Sequence, residues 1–192
     1  MMRSTRSVAL RKYTAVIIAC VLAFPGLAQP ANKYRIAKES ISLECWLDGD
    51  GTPQYAVWFK QQPVIKTSSL GFSLENDSLF YKNFMVTRTS QRTADETWQP
   101  VLGEVKNIRN NYEELRIELR HSSGKLLTIV FRVFADGVGF RYEFPKQKNL
   151  KYFIVKDEYT QFNLSGDHTA WWIPGDYDSN EYSYTTSELS KI

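Results

Sequence analysis

Within six residues near the end of this chain, Asp176, Asp178 and Glu181 share a stretch punctuated by Pro174 and Gly175. Trp171 and Trp172 precede them, Tyr177, Tyr182 and Tyr184 are interleaved, and Asp167 lies just upstream. Aromatic rings beside carboxylates suit a pyranose, which offers apolar C–H faces and a rim of hydroxyls. Trp171, Trp172, Asp176 and Asp178 are therefore the substrate-binding candidates. Carboxylates also suit a hard cation such as calcium, which takes about six to eight oxygen ligands. One short loop supplies only a few of these, so a calcium site here needs oxygens from elsewhere. Two plainer readings stay open beside these: a solvated acidic loop, and tryptophans with a purely structural role. Adjacent tryptophans in an extended segment point to opposite sides. One can be core while the other forms an exposed platform for a sugar ring.

Other chemistries find little support in the residue types. Cys45 sits on the apolar side of an alternating segment, where a thiol behaves as a small buried hydrophobe rather than a nucleophile. The two histidines, His121 and His168, are too few and too scattered for a transition-metal site. A Ser-His-Asp arrangement is left open by spacing alone, with no motif to mark it. Arg88, Arg92, Lys106 and Arg109 do not cluster and read as solvated faces or local ion pairs. Asn76-Asp-Ser78 and Asn163-Leu-Ser165 match glycosylation acceptors, a pattern short enough to recur by chance.

The elements that must position the tail are strands. In ISLECWL, Ile41, Leu43, Cys45 and Leu47 share one face, and Tyr55, Val57 and Phe59 alternate in the same way after an Asp48-Gly-Asp-Gly51 turn. That turn resembles the start of a calcium loop but lacks the later acidic ligand, so it is read as a hairpin turn. Further strands are expected at 64–66, 70–75, 84–89, 101–108, 114–121, 126–136, 139–144, 151–156 and 160–164. The segment 126–136 is apolar on both faces and is expected in the middle of a sandwich, covered on each side. Aromatics form 14% of the chain, which favours sheets. No helical period persists over ten residues. The expected fold is an all-β sandwich of about ten or more strands.

Residues 1–28 read as a secretory signal. Arg3, Arg6, Arg11 and Lys12 form a positive start, Tyr13 to Phe24 is apolar but too short to span a bilayer, and Gly26-Leu27-Ala28 offers a cleavage site. A lipobox-like Ile17-Ile18-Ala19-Cys20 lies in mid-segment, which favours cleavage after Ala28. Removing the four basic residues leaves 20 Lys and Arg against 21 Asp and Glu, a net charge of −1 instead of +3. No nucleic acid or anionic membrane is therefore expected as a partner. Cleavage also leaves one cysteine, and with it no internal disulfide.

Three segments, DETWQPVLGEVKNIRNNYEEL, FRVFADGVGFRYEFP and TQFNLSGDHTAWWIPGDYDSNEYSYTTSELSKI, resemble the N-terminal domain of glycoside hydrolase family 97. That family includes α-glucosidases of bacterial starch-utilisation systems and some α-galactosidases. The resemblance covers residues 29–192 and implies a galactose-mutarotase-like β-super-sandwich of antiparallel strands. It also implies a catalytic (β/α)8 barrel and a small β domain that this sequence does not contain, and an α-linked oligosaccharide as substrate. Glu181 matches the glutamate that the family's N-terminal domain adds to a calcium site, with calcium bound only in the full-length enzyme. Glycoside hydrolysis needs two carboxyl groups about 5–5.5 Å or 6.5–9.5 Å apart, and the resemblance places both on the barrel. No catalytic residue is thus expected in this chain, which should not hydrolyse by itself. Two alternatives stand beside a periplasmic glycosidase domain: a stand-alone periplasmic carbohydrate-binding module, and a structural sandwich with no ligand. After signal cleavage no membrane span is expected.

Overall fold

Alternation in the sequence becomes pleat in the structure. The computed structural model describes residues 32–192, within a compact unit spanning Ala31–Ile192; the predicted signal segment lies outside the described residues. Strands β1 (Tyr34–Lys38), β2 (Ile41–Leu47), β3 (Pro53–Phe59) and β4 (Gln62–Ser69) form one antiparallel sheet in that order. After a short β5 (Phe72–Leu74), strands β6 (Phe84–Trp98), β7 (Ile108–His121), β8 (Leu126–Val133) and β9 (Val138–Glu143) form a second. β10 (Val155–Glu158) pairs with β5, and β11 (Thr169–Trp172) with β12 (Thr185–Glu188), before a single 3₁₀ turn at Leu189–Lys191. Among the described residues there are twelve strands and no α-helix. The chain is an all-β sandwich.

The two large sheets bury their inward stripes together. Leu43, Cys45 and Tyr55 of the first join Leu115, Ile117, Leu119, Leu127, Ile129 and Phe131 of the second in one buried cluster. Each such side chain contributes roughly 1.5–3 kcal/mol when fully removed from water. Tyr55 packs against Phe131 and Phe140, with ring centroids 6.1 and 5.8 Å away. Burial also drives the Cys45 thiol far above its ordinary pKa, so it is an inert core residue.

The outer side of β8 differs from expectation. Val130 and Thr128 are buried as predicted for a strand covered on both sides, but among the described residues no second sheet covers them. Long charged side chains do. Val130 pairs with Arg116 and Arg141, and Arg116 bridges Glu143 at 2.7 Å. Next to them, Glu114 is only 6% exposed and takes bonds from Arg92 at 2.7 Å and Arg132 at 2.8 Å. Arg92 also donates to the Tyr112 hydroxyl, and the Arg132 guanidinium lies 4.2 Å from the Tyr112 ring centre. Arginine stems can cover apolar surface while their heads stay hydrated, which is how a chain this short supplies a second cover.

Four other segments depart from the strand pattern read from sequence. β1 was not expected, and β6 runs nine residues past the predicted 84–89. The predicted strand at 101–108 is a loop, because pairing between β6 and β7 stops at Trp98 opposite Ile108. No neighbour extends far enough there to bury an alternating face, and propensity alone does not make a strand. The segment 160–164 forms no ladder, yet it tracks β4: Gln161 N donates to Ser69 O, and Lys66 N to Asn163 O. The Asp48–Gly51 turn stands as read. The Asp48 carboxylate accepts from Asp50 N, Thr52 N and Gln54 Nε2, leaving it to cap its own turn rather than hold a cation. Gly51 has φ +74°, and a Cβ there would meet Phe84 O at 2.7 Å, so this crossing between the sheets requires glycine.

The two arginines hold the Glu114 carboxyl down at about 2, partly offset by its burial. A carboxyl depressed in the folded state stabilises above its unfolded pKa and loses that contribution as pH falls through the folded value. Urea denaturation between pH 5 and 2 should therefore show a loss on the order of 2–3 kcal/mol from this group. Glu114→Gln should remove that acid dependence and lower stability at neutral pH by a similar amount, about 2–3 kcal/mol.

Candidate functional site

The tail is organised by a two-stranded ribbon and one loop. β11 and β12 pair Thr169 with Glu188 and Trp172 with Thr185. The tryptophans point to opposite sides, as their adjacency requires. Trp171 is 67% exposed, whereas Trp172 is half-buried and donates from Nε1 to Ser187 Oγ at 2.9 Å. Neither belongs to the sandwich core. Below the ribbon, Asp167 accepts from Ser190 N at 2.9 Å and Ser190 Oγ at 2.8 Å, clamping the 3₁₀ turn to the start of β11. These bonds hold the Asp167 carboxyl below its ordinary value.

The loop from 173 to 184 carries the three acidic candidates, and it gives them different tasks. Asp176 accepts from the Tyr182 hydroxyl and from Asp178 N, closing the loop across six residues. Its carboxyl is held below the ordinary range, by Tyr182 first and the backbone second, and Tyr182 is raised in return. Asp178 contributes its backbone N–H to that closure. Glu181 donates its backbone N–H to Ser179 Oγ at 3.2 Å, and its side chain is exposed. Among the described residues, no hydrogen bond or ion pair engages the Glu181 carboxylate. Tyr177, Tyr182 and Tyr184, its neighbours in the loop, are exposed, Tyr184 at 73%. The Asp178 carboxylate is likewise unengaged, so the loop presents two open acidic side chains among exposed tyrosines.

Among the described residues there is no group of three His, Cys, Asp or Glu side chains placed to hold a metal ion. A calcium ion takes about six to eight oxygen ligands, more than the acidic side chains of this loop supply. Residues at 162–164, with Gly166, Lys66, Thr67, Leu189 and Ser190, line an open cleft of about 690 Å³ at the base of the ribbon. Sequence reasoning missed both this cleft and the Asp167–Ser190 clamp, because their partners are far apart in the chain.

The triad left open by spacing does meet, in a non-catalytic form. His121 Nδ1 lies 2.7 Å from Ser123 Oγ and 3.6 Å from Asp77 Oδ2, while Lys125 Nζ and Ser123 Oγ both donate to Asp77. A relay needs the acid and the hydroxyl on opposite ring nitrogens; here both sit beside the same one. The ring is buried against Phe80 and Phe84, at 5.3 and 5.2 Å, and burial lowers its pKa despite Asp77. This cluster is a turn staple.

Residues 37–192 match the family profile described as Glycosyl-hydrolase 97 N-terminal. The chain belongs to that family. A retaining alpha-galactosidase of Bacteroides thetaiotaomicron is 24% identical across 95% of this chain and 28% of its own length. A glycoside hydrolase family 97 enzyme from Pseudoalteromonas sp. strain K8, solved in complex with acarbose, superposes with a TM-score of 0.74. It is 31% identical, over 83% of this chain and 25% of that one. A beta-arabinopyranosidase structure follows, with a TM-score of 0.64 and 26% identity over 72% of this chain and 22% of its own. The chain spans about a quarter of the length of these relatives. A family 97 N-terminal sandwich therefore carries the tail described above, and among the described residues no helix is long and apolar enough to cross a membrane.

Tyr182→Phe should release Asp176. Its carboxyl resonance, followed by carbon-13 NMR through an acid titration, should move up toward the ordinary carboxylate range while the sandwich signals stay in place. A titration curve identical to wild type would mean that Tyr182 does not set this carboxyl.

Proposed function

We propose that this domain forms one wall of the active site of a calcium-dependent exo-α-glycosidase and buttresses a catalytic domain outside this sequence. Glu181 supplies one calcium ligand from its loop. The observation that supports this reading is the open Glu181 carboxylate in a loop where Asp176 is already committed to Tyr182 and Asp178 N; Asp178 is equally open, and the family motif is what favours Glu181 over it. Calcium, when bound, would add a fixed positive charge able to hold sugar hydroxyls in place. The residues here fit that ion as a single contributor, with the remaining oxygens drawn from the catalytic domain. Trp171, Tyr177 and Tyr184 would offer aromatic faces to the α-linked oligosaccharide or to that domain. The segment at 1–28 would direct the protein to the periplasm.

A graft tests the metal assignment. With this domain in place of the matching quarter of the Pseudoalteromonas enzyme, Glu181→Gln should weaken calcium binding by about tenfold or more, since ligand charge sets affinity at such sites. An unchanged calcium titration would sink the assignment.

A second reading, a stand-alone carbohydrate-binding module, is favoured by the exposure of Trp171. Calorimetry separates the two. Under the leading proposal, the chain alone gives no heat with millimolar maltooligosaccharides or galactosides and no calcium binding in the micromolar range. Heat with sugar that Trp171→Ala abolishes would favour the module.

A further inference from the structure

The β6–β7 hairpin outruns the sandwich. β7 pairs with β8 only from Glu113 onward, so residues 94–98 and 108–112 pair with each other alone and form a two-stranded arm. The arm is braced by a bidentate Arg109–Asp95 pair and closed at its end by a Gln99–Asn107 side-chain bond. Its tip is apolar. Val101 is 99% exposed and Leu102 89%, with Val105, Trp98 and Ile108 also open. Monomeric proteins rarely leave contiguous apolar patches much above a few hundred Å² exposed, and those that exist usually meet a partner.

A matching groove lies at the same end of the molecule. It has a volume of about 370 Å³ and is lined by Val57, Phe59, Val64, Ile65 and Val138, with Asp136 at its lip. The shared end is fixed by three observations. Val133, the last residue of β8, pairs with Glu113 at the base of the arm. The turn that follows β8 forms the groove lip. Lys38, next to the Ile41–Phe59 pair that floors the groove, reaches Glu113 at 3.8 Å.

Charges match as well. Glu104 and Lys106 flank Val105 on the tip. Asp136 borders the groove, and the Lys60 ammonium sits 5.2 Å over the ring of Phe59, one of its lining residues. The tip thus carries one charge of each sign, and so does the surround of the groove.

We infer that the arm docks into the groove of a second copy of this chain, in a two-fold exchange. Because arm and groove share one end, each copy gives its tip and receives its partner's, which closes the symmetry. The five tip side chains leave on the order of 600 Å² open. Covered twice, together with the groove walls, this reaches the roughly 1,200–2,000 Å² of a specific interface.

Sedimentation equilibrium of the purified chain tests this, with circular dichroism to check that each variant keeps its sheets. The wild type should be a dimer at micromolar concentration. Leu102→Glu on the tip and Val64→Glu in the groove should each raise the dimer dissociation constant about thirtyfold or more. Lys106→Glu should weaken the dimer, and adding Asp136→Lys should restore it. Four outcomes overturn the inference: a wild-type monomer at hundred-micromolar concentration, which would reserve the tip for another partner; a dimer that Leu102→Glu leaves intact; a dimer lost with Leu102→Glu but untouched by Val64→Glu; or growth beyond the dimer, which the closed exchange forbids.

Discussion

The inward stripe of β8, Leu127, Ile129, Phe131 and Val133, is fully buried, and the rest of the structure is arranged around keeping it so. The first sheet covers that stripe directly. β7 and β9 flank it, and their own inward residues extend the same surface. Once this register is set, a one-residue slip would send every apolar side chain of β8 to the wrong side. The charged cover outside β8 follows from the same demand. Val130 and Thr128 are too buried for water, yet among the described residues no third layer covers them, so arginine stems and a paired Glu114 take its place. A carboxylate that deep is tolerable because two guanidiniums and a phenol satisfy its surroundings.

The period-two pattern made the strands from Ile41 to Phe59 and from Leu115 to Val133 legible in the sequence, down to which residues face inward. It failed where pairing rather than pattern decides. Val101, Leu102 and Val105 have strand-like chemistry, but no strand lies beside them. β1 was invisible because Tyr34–Lys38 is short and mixes charges with its single buried residue, Ile36. The outer cover of β8 was equally hidden, since Arg92, Arg132 and Glu114 are 18 to 40 residues apart and read individually as solvated charges.

The candidate site was legible in part for a related reason. The opposed tryptophans follow from adjacency, and the acidic cluster from composition. What composition does not reveal is which carboxylate is already in use. Asp176 is spent on closing its loop, while the side chains of Asp178 and Glu181 are both left open. The clamp of Asp167 on Ser190 could not be foreseen at all, because 23 residues separate the two. The family resemblance singles out Glu181 by motif; hydrogen bonding removes Asp176 from the candidates but leaves Asp178 and Glu181 equally open.

The run of backbone bonds that ties residues 159–165 to β4 also guards the sheet. An outermost strand ordinarily presents a row of open N–H and C=O groups that invites any extended chain to join. Here Tyr159, Gln161, Asn163 and Ser165 occupy the β4 side at Gly71, Ser69, Lys66 and Val64. The polypeptide thus seals its own margin with the stretch that leads into the site, and peeling that stretch away would open a surface prone to aggregation.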